Sequence, residues 1–176
     1  MSEYYIEAKG LKEICPRLSV GDRIFLSGEV YTARDAAHKR IFESIKQGGE
    51  LPFSIKGAII YYAGPTPAPE GLAVGSCGPT TSARMDKYTP ALLDSGLTAT
   101  IGKGERSRAV REAIVKNNSV YFCAIGGAGA LACKHIVKSE IVAYEDLGCE
   151  AVRRLTFNSF PLIVGIDSTG QSIFDR

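Results

Sequence analysis

The 176-residue chain lacks a basic run: 21 Lys and Arg stand against 19 Asp and Glu, a formal charge of +2. Proteins that bind nucleic acid neutralise phosphates with grouped cations, so that class is disfavoured. Any apolar stretch near the roughly 20 residues that cross a bilayer is also missing. The longest, Gly57–Ala63 and Leu162–Ile166, fall far short. The opening Met1-Ser2-Glu3-Tyr4-Tyr5 has neither the basic start nor the apolar centre of a signal peptide, so a cytoplasmic protein is expected. Nor do the five cysteines (Cys15, Cys77, Cys123, Cys133 and Cys149) form a C-x-x-C pair. An odd number without a targeting signal argues against a disulfide framework, and the spacing argues against a self-contained zinc or iron–sulfur site. Most are expected to be buried, reduced, small apolar residues. Repeats, low-complexity tracts and long linkers are absent too, which predicts a single domain over residues 1–176.

Strand and helix signals alternate through the middle of the chain. Asp22–Val30 reads as a strand, and Thr32 is expected to cap a helix with Asp35 three residues on. Ala37, Ile41 and Ile45 give that helix an apolar stripe, and Gly48-Gly49 ends it. Gly57–Ala63 is a buried strand, a proline-rich loop follows, and Leu72–Ser76 reads as a further short strand. The run Gly78–Met85 leads into a helix, and Pro90 restarts a second one that stops at Gly96. Leu97–Ile101, Ser119–Ile125, Ile136–Ala143 and Pro161–Ile166 are strands. Arg106–Lys116 is an amphipathic helix, and Ala130–Lys134 is a short one. The pattern predicts an α/β domain with a mixed sheet.

Four constellations can carry chemistry. Arg34 and His38, four apart, share a helix face near its N-terminus, where an arginine fork suits a carboxylate. A solvated face is the plainer reading. Gly78-Pro79-Thr80-Thr81-Ser82-Ala83-Arg84 sets three hydroxyls before an arginine. A hydroxyl acts as a base only if nearby positive charge stabilises its alkoxide, which Arg84 and a helix N-terminus can do. Local capping is the alternative. Gly102-Lys103-Gly104-Glu105-Arg106-Ser107 lacks the P-loop spacing. It is either an anion-binding helix start or a polar turn with a serine cap. Gly127-Ala128-Gly129-Ala130-Leu131-Ala132 has the outline of a dinucleotide fingerprint, but its helix is very short, so a tight turn or a small anion nest is the stronger reading.

Arg34-Asp35-Ala36-Ala37-His38-Lys39-Arg40, Ala63-Gly64-Pro65, Gly78-Pro79-Thr80-Thr81-Ser82-Ala83-Arg84-Met85, Gly102-Lys103-Gly104 and Phe160-Pro161-Leu162-Ile163-Val164 occur in that order. This resembles the β subunit, or C-terminal domain, of the iron–sulfur hydro-lyases, class I fumarate hydratase and L-tartrate dehydratase, from about Gly21 to Phe174. Gly104-Glu105-Arg106-Ser107 is similar to the fumarase turn, with Glu105 in place of Asn. The resemblance implies a swivelling β/β/α domain that closes over an α subunit. That partner, in a hetero-oligomer, would hold a [4Fe–4S] cluster with three cysteine ligands and one open iron. It implies Thr80 as the base beside a substrate carboxylate. Arg34, Arg84 and Lys103 would bind the carboxylates of a small dicarboxylate, and His38 would orient or relay protons. The expected reaction is reversible hydration of fumarate to malate, with L-tartrate dehydration as the alternative. A non-catalytic dicarboxylate- or nucleotide-binding domain is the rival of another class.

Overall fold

The computed structural model describes residues 1–125 and 129–175. Its elements run β1 (Glu3–Glu7), α1 (Leu11–Ile14), β2 (Arg23–Thr32), α2 (Asp35–Gln47), β3 (Ile59–Tyr61), α3 (Thr89–Asp94) and β4 (Ala99–Gly102). They continue with α4 (Arg108–Lys116), β5 (Val120–Cys123), α5 (Gly129–Ala132), β6 (Ile136–Ala143) and β7 (Val152–Ile166). The architecture is α/β with a seven-stranded mixed sheet in the order β1-β2-β3-β4-β5-β7-β6. β1 to β5 pair in parallel, whereas β7 runs antiparallel to β2, β5 and β6. Because β7 pairs with β2 as well as β5, the strands β2, β3, β4, β5 and β7 form a closed circuit.

Alternation along the strands divides the apolar residues between two cores, since successive side chains leave opposite faces. Ile59, Tyr61, Val120 and Phe122 join Leu26, Phe157 and Phe160 in one cluster. Ile60, Tyr62 and Tyr121 join Ile41, Leu92 and Ile114 from α2, α3 and α4 in the other. The result is a β/β/α layering, with one core between sheet faces and one between sheet and helices. These strands carry apolar residues on both faces because both faces are covered.

Several expectations are corrected. Thr32 does not cap α2. It is the last residue of β2, where its hydroxyl donates to the Ala151 carbonyl at 3.3 Å and accepts from the Arg153 N–H at 3.0 Å. Arg34 takes the cap position with extended backbone, and a carboxylate from far along the chain does the capping: Glu150 Oε2 accepts from the Ala36 N–H at 2.9 Å. Leu72–Ser76 is loop, held by Thr66, whose Oγ1 and backbone N–H bond Ser76 while its carbonyl takes the Gly75 N–H. The helix expected after Gly78 shrinks to one 3-10 turn, Ser82–Met85. The strand expected over Pro161–Ile166 is only the end of β7, which begins at Val152 and carries a bulge, Asn158 and Ser159 (φ 49°) standing against Ser27 of β2, next to Gly28 (φ 105°). Pro161 sits beside this irregularity, where a missing ladder donor is tolerated. The glycine-rich turn at Gly126, Gly127 and Ala128 lies outside the described residues, and the helix after it, α5, has four residues.

Close approach makes Gly102 hard to replace. A methyl group there would overlap Ser82 Oγ and come within 2.9 Å of the Tyr62 ring. Gly102→Ala is therefore expected to cost about 1–3 kcal/mol by overpacking, and chemical denaturation of the purified variant would measure it. An unchanged midpoint would show that the Ser82 loop yields freely.

Candidate active site

Three neighbouring parallel strands deliver the candidate residues from their C-terminal ends, where open α/β sheets gather their ligand sites. β2 leads through Ala33, whose N–H bonds the Tyr61 carbonyl at 3.2 Å, into Arg34 and Asp35. β3 leads to Ala63, which bridges to Pro79, and β4 leads to Lys103, which bridges to Thr81. The Thr80 N–H donates to the Tyr62 carbonyl at 2.7 Å, and the Ser82 N–H donates to the Lys103 carbonyl at 3.0 Å. The hydroxyl loop is thereby stitched across the tips of β3 and β4. Beneath it, Ser82 Oγ meets the Tyr121 hydroxyl at 3.0 Å, and that hydroxyl donates to the Gly104 carbonyl at 2.9 Å.

On this platform Arg84 Nη2 donates to Thr80 Oγ1 at 2.5 Å and stands 3.2 Å from Asp35 Oδ2. Arg34 lies against Gly64, with Nη2 3.6 Å from Glu150 Oε1. Lys103 is exposed, and about half of the Arg84 side chain is exposed. Arg34 is mostly covered, and a carboxylate stands beside each arginine. An arginine held on a hydroxyl favours the alkoxide over the alcohol, because a nearby positive charge stabilises the charged form. The same surface can receive carboxylates on the remaining N–H groups.

His38 is placed differently from the other four. It is fully buried between the rings of Tyr62 and Tyr88. Its Nδ1 lies 2.9 Å from the Arg34 carbonyl, which can only accept, so Nδ1 carries the proton. Nε2 is buried without a partner. Burial pushes its pKa down to about 4. His38 thus sits as a neutral ring beneath Arg34, with neither nitrogen exposed. Because its folded pKa lies below the ordinary value of 6.5, stability from this group is complete above about pH 6.5 and is lost as pH falls toward 4. The expected loss is about 3 kcal/mol. Urea unfolding across this range should show it in the native chain, and His38→Gln should remove it. Parallel pH profiles for the two chains would refute the assignment.

Arg106, read as part of a polar turn, is buried instead. Nε donates to Asp86 Oδ1 at 2.7 Å, Nη1 to Thr100 Oγ1 at 3.0 Å, and Nη2 to Thr89 Oγ1 at 2.8 Å. Asp86 Oδ2 also takes the Ser107 N–H at 2.5 Å, while Ser107 Oγ accepts from the Val110 N–H. A carboxylate of this chain thus occupies the start of α4, and the serine-cap reading is the one observed. Asp86 and Glu150 have no role in the sequence reading, and Asp35 has only that of a capping acid. Asp35 stands inside a motif already noted, but nothing local marks Glu150, which acts across 114 residues.

All five cysteines are free thiols. Cys15, Cys77 and Cys133 are buried, Cys123 is partly so and Cys149 is exposed. Burial pushes the Cys15 thiol up to about 11 and the Cys77 thiol up to about 12. Among the described residues no group of three or more His, Cys, Asp and Glu can hold a metal, so they do not fit an iron–sulfur cluster. Also among them, no helix is long and apolar enough to cross a membrane.

The closed mixed sheet thus carries a threonine hydroxyl, two arginines and a lysine at adjoining strand tips. The chain belongs to the fumarase C-terminus family, whose model matches residues 3–176, and its relatives are hydro-lyases. It is 39% identical over 171 residues to "Fumarate hydratase class I, aerobic" of Escherichia coli K12, covering 94% of this chain and 31% of that protein. Against "Fumarate hydratase 2" of Leishmania major it is 39% identical, covering 89% of this chain and 28% of that protein. Against "Putative L(+)-tartrate dehydratase subunit beta" of Methanocaldococcus jannaschii it is 37% identical, covering 98% and 91%. The chain thus spans under a third of these two fumarate hydratases and nearly all of the β subunit.

Proposed function

We propose that this chain is the β half of a fumarate hydratase, interconverting malate and fumarate with an α subunit that holds a [4Fe–4S] cluster. The observation that carries the reading is the Arg84–Thr80 bond, with about half of the Arg84 side chain open to solvent. Thr80 Oγ1, as the alkoxide that Arg84 stabilises, takes the proton from the carbon beside a malate carboxylate. The C–H electron pair becomes the double bond, and the hydroxyl on the neighbouring carbon leaves as hydroxide, for which the partner's cluster would supply the Lewis acid. Arg34 and Lys103 receive the carboxylates, whose negative charge grows as the proton leaves, so fixed cations favour the transition state. A monoanion would leave a cation unpaired, which selects for dicarboxylates. The cysteine arrangement supports placing the cluster on the partner. A swivel of this domain over the partner would cover the exposed face, and a cytoplasmic location accords with the sequence.

L-Tartrate dehydration is the second reading, favoured by the near-complete coverage of the Methanocaldococcus relative. The test is reconstitution of the pair under anaerobic conditions, assayed with malate and with L-tartrate. The isolated chain is expected to be colourless, iron-free and inactive, and the pair to turn over malate. Activity with tartrate alone would transfer the assignment to the second reading. Dicarboxylate binding without turnover would favour a sensor, and about one cluster per isolated chain would overturn the division of labour.

A further inference from the structure

We infer that Asp35 is a positioning residue, which holds the Arg84 guanidinium so that Nη2 stays bonded to Thr80 Oγ1. The inference rests on the roles proposed above for Thr80 and Arg84. Arg84 follows Thr80 on a single 3-10 turn, and about half of its side chain faces solvent. A long exposed side chain gives up substantial rotamer freedom when fixed, so one bond to a hydroxyl is weak restraint. The second restraint comes from another element. Asp35, the first residue of α2, brings Oδ2 to 3.2 Å from the same Nη2.

Nη2 donates one hydrogen to Thr80 Oγ1 and meets the Asp35 carboxylate as an ion pair. Nε–H and the two hydrogens of Nη1 are left for a carboxylate. Asp35 is itself well placed, since a carboxylate in the first turn of a helix is favoured by the helix dipole. Glu150, bonded to the next N–H at Ala36, fixes the start of that helix to the segment before β7.

The sign of the charge separates positioning from electrostatic activation. A negative group beside Arg84 opposes alkoxide formation on Thr80, so the Asp35 charge does not help the base. Its contribution is the geometry it imposes. Asparagine keeps an acceptor oxygen at the same place without the charge, and alanine keeps neither.

Two measurements test this. In the reconstituted enzyme, Asp35→Ala is expected to lower kcat for malate by about 10- to 100-fold, the scale of loss for a misplaced catalytic group, with a smaller change in KM. Asp35→Asn is expected to retain most of kcat and to move the acid limb of its pH profile downward. Wild-type kcat in Asp35→Ala, or equal losses in both variants, would overturn the inference. A crystal structure of the Asp35→Ala chain supplies a readout that needs no turnover. The Arg84 Nη2 to Thr80 Oγ1 separation should open beyond about 3.5 Å, and an intact bond would overturn the positioning role. If the wild-type pair shows no turnover, the proposed reaction fails, and the crystal structure still decides whether Asp35 holds Arg84.

Discussion

Replacing Arg84 with lysine in the reconstituted enzyme is expected to lower kcat/KM for malate by about 30- to 1000-fold, equivalent to roughly 2–4 kcal/mol of transition-state stabilisation. The fold should be unaffected, because much of this side chain lies in solvent. Lysine keeps the charge but offers one nitrogen. That nitrogen cannot bond Thr80 and Asp35 while also presenting a planar pair of N–H groups to a substrate carboxylate. Steady-state kinetics alongside thermal unfolding of the isolated chain would separate chemistry from stability. A variant with near-normal kcat/KM would show that Arg84 is a surface residue only.

The largest effect on stability is expected from Asp86→Ala. Asp86 is the counter-charge of a fully buried guanidinium and the acceptor at the start of α4. Removing one partner of a buried pair leaves an uncompensated charge and typically costs about 3–5 kcal/mol. For a chain of this size the unfolding midpoint should fall by about 6–20 °C. Replacing Arg106 by methionine and Asp86 by alanine together should cost less than Asp86→Ala alone, since no charge is then stranded. Differential scanning calorimetry of the three chains would measure this. A drop under about 1 kcal/mol for Asp86→Ala would mean that water reaches Arg106 and the pair is effectively a surface one.

Much of the framework was legible because buried parallel strands announce themselves as short apolar runs. Ile136–Ala143 was placed to the residue, and β2 to β5 were placed within a few residues. α2 was stopped correctly at Gly48, whose φ of 66° suits glycine. β1 was missed: Glu3-Tyr4-Tyr5-Ile6-Glu7 has one buried residue and no clear alternation. The first half of β7 was missed because paired arginines at 153 and 154 interrupt its apolar period. Thr32 and Asp35 have capping-box spacing, yet Thr32 is bound into the sheet by Ala151 and Arg153, and tertiary pairing overrode the local signal. Around the site, the hydroxyl loop and basic residues were visible as motifs. What local sequence could not show is which cation goes inward. Arg106 looks as polar as Lys103, and its burial is made tolerable by Asp86, Thr89, Thr100 and Tyr62, which come from other segments.

The pairing of β2 with β7 bears on how the molecule is made. Thr32 and Arg153 meet across 121 residues of chain, and the ring of strands stays open until β7 arrives. Such non-local pairing places the domain among slow folders, in the millisecond-to-second class, because chain entropy is lost before the contacts form. On the ribosome, β2 and β5 would wait with bare edges while β6 and β7 are translated, an interval in which strand edges invite aggregation. Arg34 would lack Glu150 for the same interval, so the Arg34 side of the candidate site should form with the last refolding phase rather than with early collapse.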